Sequence, residues 1–358
     1  MFTLLPALTA ALALVMAIAL IDQWRERHQP FQLVWAIGMT FYGIAAGCEA
    51  IAAAAGWNEP LYRTWYLTGA VLTAGWLGLG TALLLAKTRF GYAIAVSIFL
   101  AGLFALLTQR RFNYEGAGST PILYFIGAGL LALAIGVETY FQNERWPMFM
   151  ALGVGVASVL ALVLAATVPL NQPFSIDPST GQPSADLFDL SGAVAGTNLP
   201  GSLRLLTPFL NITGGFSLAF GALFSAYVFM PKRRVLPYTL DPNQKGDHFL
   251  FNLLIAPVAL TVNFFASLPG AVRDLALGRL HSRVPATLLI AAGGFVASAG
   301  DSLNRFGITG PFAVAKLVAA VLLLGGFLVS IEAFREIRIP FTRIRLAGLR
   351  REAGPEPT

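Results

Sequence analysis

Ten apolar stretches, most of them close to the roughly 20 residues that carry a helix across a bilayer, follow one another with little between them. They lie at 3–22, 32–56, 65–86, 91–108, 121–141, 147–169, 205–230, 249–268, 285–304 and 311–333. Most connections are short and built from turn residues, such as Asn58-Glu59-Pro60, Lys87-Thr88-Arg89 and Gln142-Asn143-Glu144-Arg145, so no soluble domain fits between the stretches. Only 12% of residues are charged against 56% hydrophobic, about half the charge of an ordinary soluble domain. The pattern predicts an all-α, polytopic transmembrane helical bundle, with 1–334 as one membrane domain and 335–358 as a basic tail.

Basic residues decide which stretches cross. With ten crossings and the N-terminus outside, the cytoplasmic side receives 10 Lys and Arg and the other side 13, including the tail, which inverts the positive-inside bias. If 249–268 does not cross, the distribution becomes 18 inside and 5 outside. Asn252, Pro257 and Asn263 interrupt that stretch and Pro269-Gly270 ends it, and backbone freed by proline at membrane depth must be covered. The expectation is nine spans plus one re-entrant or interfacial segment. The first stretch has no basic residue ahead of it, so it reads as a retained helix and not a cleaved signal. The implied protein is multi-pass in a cell membrane, most simply a prokaryotic cytoplasmic membrane, with its N-terminus outside and C-terminus inside.

Aromatic residues fit this orientation. Trp24, Trp35 and Trp146 are expected at the inner interface, and Trp57, Tyr62, Trp65 and Tyr66 at the outer one, where amphipathic rings settle. Gly43 and Gly47 share a helical face and would let helices approach, which serves packing more often than a dedicated dimer contact.

Charges inside spans need a reason, since each costs about 2.5–3.5 kcal/mol at mid-bilayer. Glu138, Lys87 and Glu332 lie near span ends, where reaching back to the interface is a sufficient account. Glu49, Asp301 and Lys316 all fall in the outer part of the membrane. Asp301 and Lys316 flank the same turn on antiparallel helices, so an ion pair that fastens this hairpin is the plain expectation. The functional alternative is that Glu49, Asp301 and Lys316 line an outward-facing polar cluster. Asn211 and Thr213 would join it, because Thr207-Pro-Phe-Leu-Asn-Ile-Thr-Gly-Gly215 opens the seventh span with kink-prone residues that can expose backbone groups, as interrupted transporter helices do. Ordinary helix packing would explain the same segment. An apolar helix with a late acid, a glycine turn and a second helix describes both 38–86 and 291–333; one shared pattern does not make a repeat.

Other chemistry is poorly supported. The single cysteine, Cys48, and the three histidines supply no disulfide framework and no intramembrane metal pair, so no cofactor or metal is expected. Ala297-Ser298-Ala299-Gly300 lacks the first glycine of a nucleophile elbow. Ser298-Ala-Gly-Asp301 lacks the first glycine and second aspartate of an intramembrane aspartyl protease. Asp177, Asp186 and Asp189 in the 170–203 loop lack calcium-loop spacing and read as a solvated loop. The basic surplus sits in loops and tail, which points away from nucleic acid. The partners implied are the bilayer itself and, at the tail, where Arg335 to Arg351 interleave with Ile337, Phe341, Ile344, Leu346 and Leu349, anionic lipid or a cytoplasmic protein. The leading expectation is transport or binding of a small molecule or lipid; a non-catalytic membrane subunit or sensor, and a lipid-acting enzyme, are the alternatives.

Overall fold

In the computed structural model the described residues are 3–141, 144–170, 174, 176, 199–241, 249–305 and 312–329, with the short segments 336–338 and 345–347. They form ten helices long and apolar enough to cross a membrane: α1 Leu4–Arg27, α2 Pro30–Ala55, α3 Glu59–Leu84, α4 Gly91–Phe112, α5 Thr120–Tyr140, α6 Trp146–Thr167, α7 Gly201–Phe229, α8 Phe249–Ala276, α9 Arg283–Arg305 and α10 Phe312–Val329. The protein is an integral membrane helical bundle. Two short strands, β1 Glu336–Arg338 and β2 Arg345–Ala347, pair antiparallel near the C-terminus. The acidic residues of the 170–203 loop and the rest of the tail lie outside the described residues.

Sequence explains the helix ends locally. Pro30 starts α2, where a missing amide costs nothing. Asn58 caps α3 by accepting from the Leu61 amide at 2.9 Å. His28 and Asn113 end α1 and α4 in the left-handed conformation, which Asn and His tolerate better than most side chains.

The chain divides into two compact units, 1–221 with 291–321, and 222–290 with 322–358. In the first, α1 packs on α2, α2 on α3, α4 on α5, and α6 on both α3 and α5. Small residues set the closest approaches. A Cβ on Gly78 of α3 would stand 2.5 Å from the Gly214 Cα of α7, and one on Gly214 would overlap the Ala74 carbonyl. The two backbones therefore touch, as small residues permit in membranes. Gly214 is a packing residue, and α7 is one helix from Gly201 to Phe229 with Pro208 inside it, so the ordinary packing weighed for this segment is what Gly214 performs. Of Gly43 and Gly47, Gly43 meets Leu14 of α1 while nothing lies within 4 Å of a Cβ at Gly47.

Indoles tie these helices together. Trp35 donates to the Leu77 carbonyl at 2.9 Å, Trp76 to Ser158 Oγ at 3.1 Å and Trp146 to the Ala86 carbonyl at 3.1 Å. Trp146, the first residue of α6, is 1% exposed and serves as a buried inter-helix staple. An indole offers large apolar area and one donor, which suits a site where a carbonyl needs a partner and water is scarce. Trp57, Tyr62, Trp65 and Tyr66 likewise form one ring cluster with centroid separations of 5.6–6.5 Å.

In the second unit, Ala226, Tyr227, Met230, Ala271 and Val284 form a buried knot. α8 is one continuous helix through Pro257 and Pro269. Its polar residues do not break it. Asn263, fully buried, accepts from the amides of Val235 and Leu236 at 2.7 and 2.9 Å and donates to the Leu236 carbonyl at 2.8 Å. Ser267 accepts from the Arg233 amide at 2.9 Å, and Gly270 leaves room for Pro231. These side chains satisfy an irregular segment, 231–236, that has no ladder of its own. Two residues beyond that segment, burial pushes the Tyr238 hydroxyl up to about 12.

Candidate functional site

Lys316, on the second turn of α10, is 9% exposed and meets Glu49 near the end of α2 at 2.7 Å, Nζ to Oε1. The carboxylate at ion-pair distance from Lys316 is thus Glu49, and the pairing expected across the α9–α10 turn is made to α2 instead. Adjacency of α9 and α10 itself is found: a Cβ on Gly300 would lie 2.5 Å from the Ala315 Cβ. That contact puts Asp301 and Lys316 one residue beyond the same touching point. Asp301 is partly exposed and has a partner of its own.

The Glu49 oxygen is shared. Trp65 Nε1 donates to the same Oε1 at 2.6 Å, so one carboxylate oxygen accepts from an ammonium and an indole, both short as expected for a charged acceptor. Tyr42 lies two turns before Glu49 on α2. Its hydroxyl donates to the Lys316 carbonyl at 2.7 Å, and the ammonium stands 5.7 Å from its ring and 5.0 Å from that of Phe312. The cation is therefore walled by aromatic faces, which favour a charge withdrawn from water. Both side chains of the pair are 11% exposed. Among the described residues the ammonium makes one hydrogen bond out of three possible, and Glu49 Oε2 makes none. An anionic group reaching Lys316, or a donor reaching Oε2, would find unfilled valence there.

Trp65 stands directly before an element that was not expected from the sequence. Tyr66–Leu72, directly after it within α3, is a π-helical turn. Thr73 Oγ1 donates to the Thr68 carbonyl at 2.7 Å, and Thr68 Oγ1 to that of Thr64 at 2.7 Å, supplying hydrogen bonds where the helical pattern is widened. Such turns recur at functional positions. Below it, the Tyr66 and Thr207 hydroxyls share a hydrogen bond at 2.9 Å. Arg63, one turn before, donates to the Ala165 and Val168 carbonyls at 2.7 and 3.0 Å and to Glu59; it closes the end of α6, where orphan carbonyls attract a cation. The threonine series Thr64, Thr68 and Thr73 was the available signal for the turn.

Asn211 and Thr213 fall elsewhere on α7. Asn211 Oδ1 and Thr213 Oγ1 are buried without a hydrogen-bond partner. Thr213 borders a crevice with Gly75, Met150, Leu210 and Gly214, too narrow to admit a water molecule; Glu49, Trp65 and Lys316 do not line it. The five residues singled out in the sequence therefore yield one built pair, Glu49 with Lys316, a separate pair of orphaned polar groups on α7, and Asp301, which is partnered outside both. Ser298 donates to the Gly294 carbonyl at 2.9 Å, so its hydroxyl serves its own helix. Lys87 lies 4.0 Å from Glu144 with both side chains exposed, a pair of little energetic weight.

Among the described residues no three His, Cys, Asp or Glu gather as metal ligands would. No protein-family model, curated protein or solved structure matches the chain.

Proposed function

We propose that this membrane protein binds or transports a small molecule or lipid, and that the Glu49–Lys316 pair is the charged element of its site. The observation that carries this is the shared Glu49 oxygen: a carboxylate held by Trp65 and Lys316 among aromatic walls. Intramembrane charges are costly and concentrate where they act. A hydrophobic pair would fasten α2 to α10 at least as well. The unfilled donors of Lys316 favour a ligand carboxylate or phosphate that competes with Glu49 for the ammonium. Asn211 and Thr213, buried with unsatisfied oxygens, lie apart from this pair, and the proposal does not depend on them.

The topology we propose has nine spans, the N-terminus outside and the C-terminus inside, with α8 lying along the inner interface. Support comes from the charge distribution of 18 basic residues against 5 and from Asn263. It sits at the middle of α8 and holds Val235 and Leu236, a few residues after α7 ends at Phe229. If α8 crossed with its middle at mid-bilayer, the exposed Lys232, Arg233 and Arg234 would be drawn to that depth, each at about 2.5–3.5 kcal/mol. An α8 at the headgroup level removes that conflict.

The test is a ligand search with a charge-free control. Native mass spectrometry of the purified protein, and thermal shift against carboxylates, organic phosphates and phospholipids, are run beside the Glu49→Leu/Lys316→Leu double variant. We expect a species that binds the natural chain and is lost from a double variant of unchanged melting temperature. The same species on both proteins would make the pair a fastener and overturn the proposal.

A further inference from the structure

Six cations in the second unit converge on one buried knot. Met230, Ala271 and Val284 touch within it, and Leu280 packs against it. Lys232, Arg233 and Arg234 follow Met230; Arg273 follows Ala271; Arg279 precedes Leu280; Arg283 precedes Val284. All six side chains are exposed, and among the described residues none has a carboxylate partner at ion-pair distance. Among the described residues between 222 and 290 the carboxylates are Asp241 and Asp274, both partly buried. The excess of positive charge is left facing outward.

The platform beneath the charges is rigid. Asn263 and Ser267, 0% and 1% exposed, fasten the backbone that carries Lys232 to Arg234. Arg283 lies over the Phe229 ring at 4.9 Å, and His281 stacks on that ring at 4.9 Å. Two buried polar side chains spent on an irregular loop, when α8 could have been apolar there, hold three cations in one place.

α8 adds the second half. Phe251, Leu254, Val258, Val262, Phe265 and Val272 recur every three or four residues or a multiple, and are 36–79% exposed. They make one uncovered apolar face, and Arg273 follows directly after its last residue.

We propose that these six cations form a headgroup site for an anionic phospholipid whose acyl chains lie along the exposed face of α8. A phosphodiester offers the charge they lack, and the hydrocarbon covers the adjoining apolar stripe. Charge and hydrophobicity in that order along one element match an anionic lipid, headgroup then hydrocarbon, and a free phosphate has no group for the second. The site is separate from Glu49 and Lys316, and its failure would leave that reading untouched.

The delipidated full chain is titrated by native mass spectrometry with phosphatidylglycerol and, separately, phosphatidylcholine. Variants are Lys232→Gln/Arg233→Gln/Arg234→Gln, Arg273→Gln/Arg279→Gln/Arg283→Gln, and Asn263→Leu/Ser267→Ala, which keeps every charge. Phosphatidylglycerol should bind the natural chain in preference to phosphatidylcholine. Each triple variant should weaken it by about tenfold or more, and the Asn263/Ser267 variant should weaken it with the charges intact. Should a triple variant fail to fold, Arg273→Gln alone, at an exposed and unpaired position, still has to weaken binding. Equal affinity for the two lipids, equal binding by the variants, or equal retention of inorganic phosphate would overturn the proposal.

Discussion

Lys316 and Glu49 meet at 2.7 Å although 267 residues separate them in sequence. Each belongs to one of the two helical hairpins whose sequences share a late acid and a glycine turn. Removing one partner leaves a buried charge alone, which costs about 3–5 kcal/mol, whereas removing both is often neutral. Glu49→Gln and Lys316→Met should each lower the melting temperature of the detergent-solubilised protein markedly. Glu49→Leu/Lys316→Leu should restore most of the loss. A double variant as unstable as the singles would mean that the loss comes from something other than an unpaired charge, such as the Trp65 indole left without its acceptor.

The α3–α7 crossing gives a sharper stability contrast. A methyl at Gly78 meets backbone 2.5 Å away, and backbone cannot move aside as a flexible side chain can. Gly78→Ala and Gly214→Ala should abolish monodisperse protein on size exclusion. Gly47→Ala and Gly127→Ala, where nothing lies within 4 Å, should be neutral or stabilising by up to about 1 kcal/mol through helix propensity alone.

The indole bonds are testable pair by pair. For Trp76 and Ser158, joined at 3.1 Å, a double-mutant cycle of Trp76→Phe and Ser158→Ala should return a coupling of about 0.5–1.7 kcal/mol, the range of hydrogen bonds between membrane helices. A coupling near zero would assign the stabilisation to ring packing.

What could be read from sequence was the existence of the helices and their adjacency in hairpins, because length and apolarity are local properties. Gly300 against Ala315 follows from a short antiparallel turn and was legible. Glu49 against Lys316 was not: two helices far apart in sequence choose each other by shape, and the nearer acid, Asp301, was the obvious partner. The partners of Asn263 were not legible for a related reason. A polar residue in an apolar stretch signals either a broken helix or a side chain with a distant backbone to satisfy, and only the fold distinguishes them.

That role of Asn263 also makes the position of α8 measurable. Cys48 is the sole cysteine and is buried, so single-cysteine labelling on a Cys48→Ala background is clean. Val235 and Leu277 are 52% and 53% exposed, and they flank α8 in sequence. If α8 lies along the inner interface, Val235→Cys and Leu277→Cys are both protected from a membrane-impermeant maleimide in intact cells and both labelled in inverted vesicles. If it crosses, one of the two reacts in intact cells and the other does not. The second outcome would place Arg273, Arg279 and Arg283 outside with the tail, and the positive-inside distribution that supports nine spans would be lost with them.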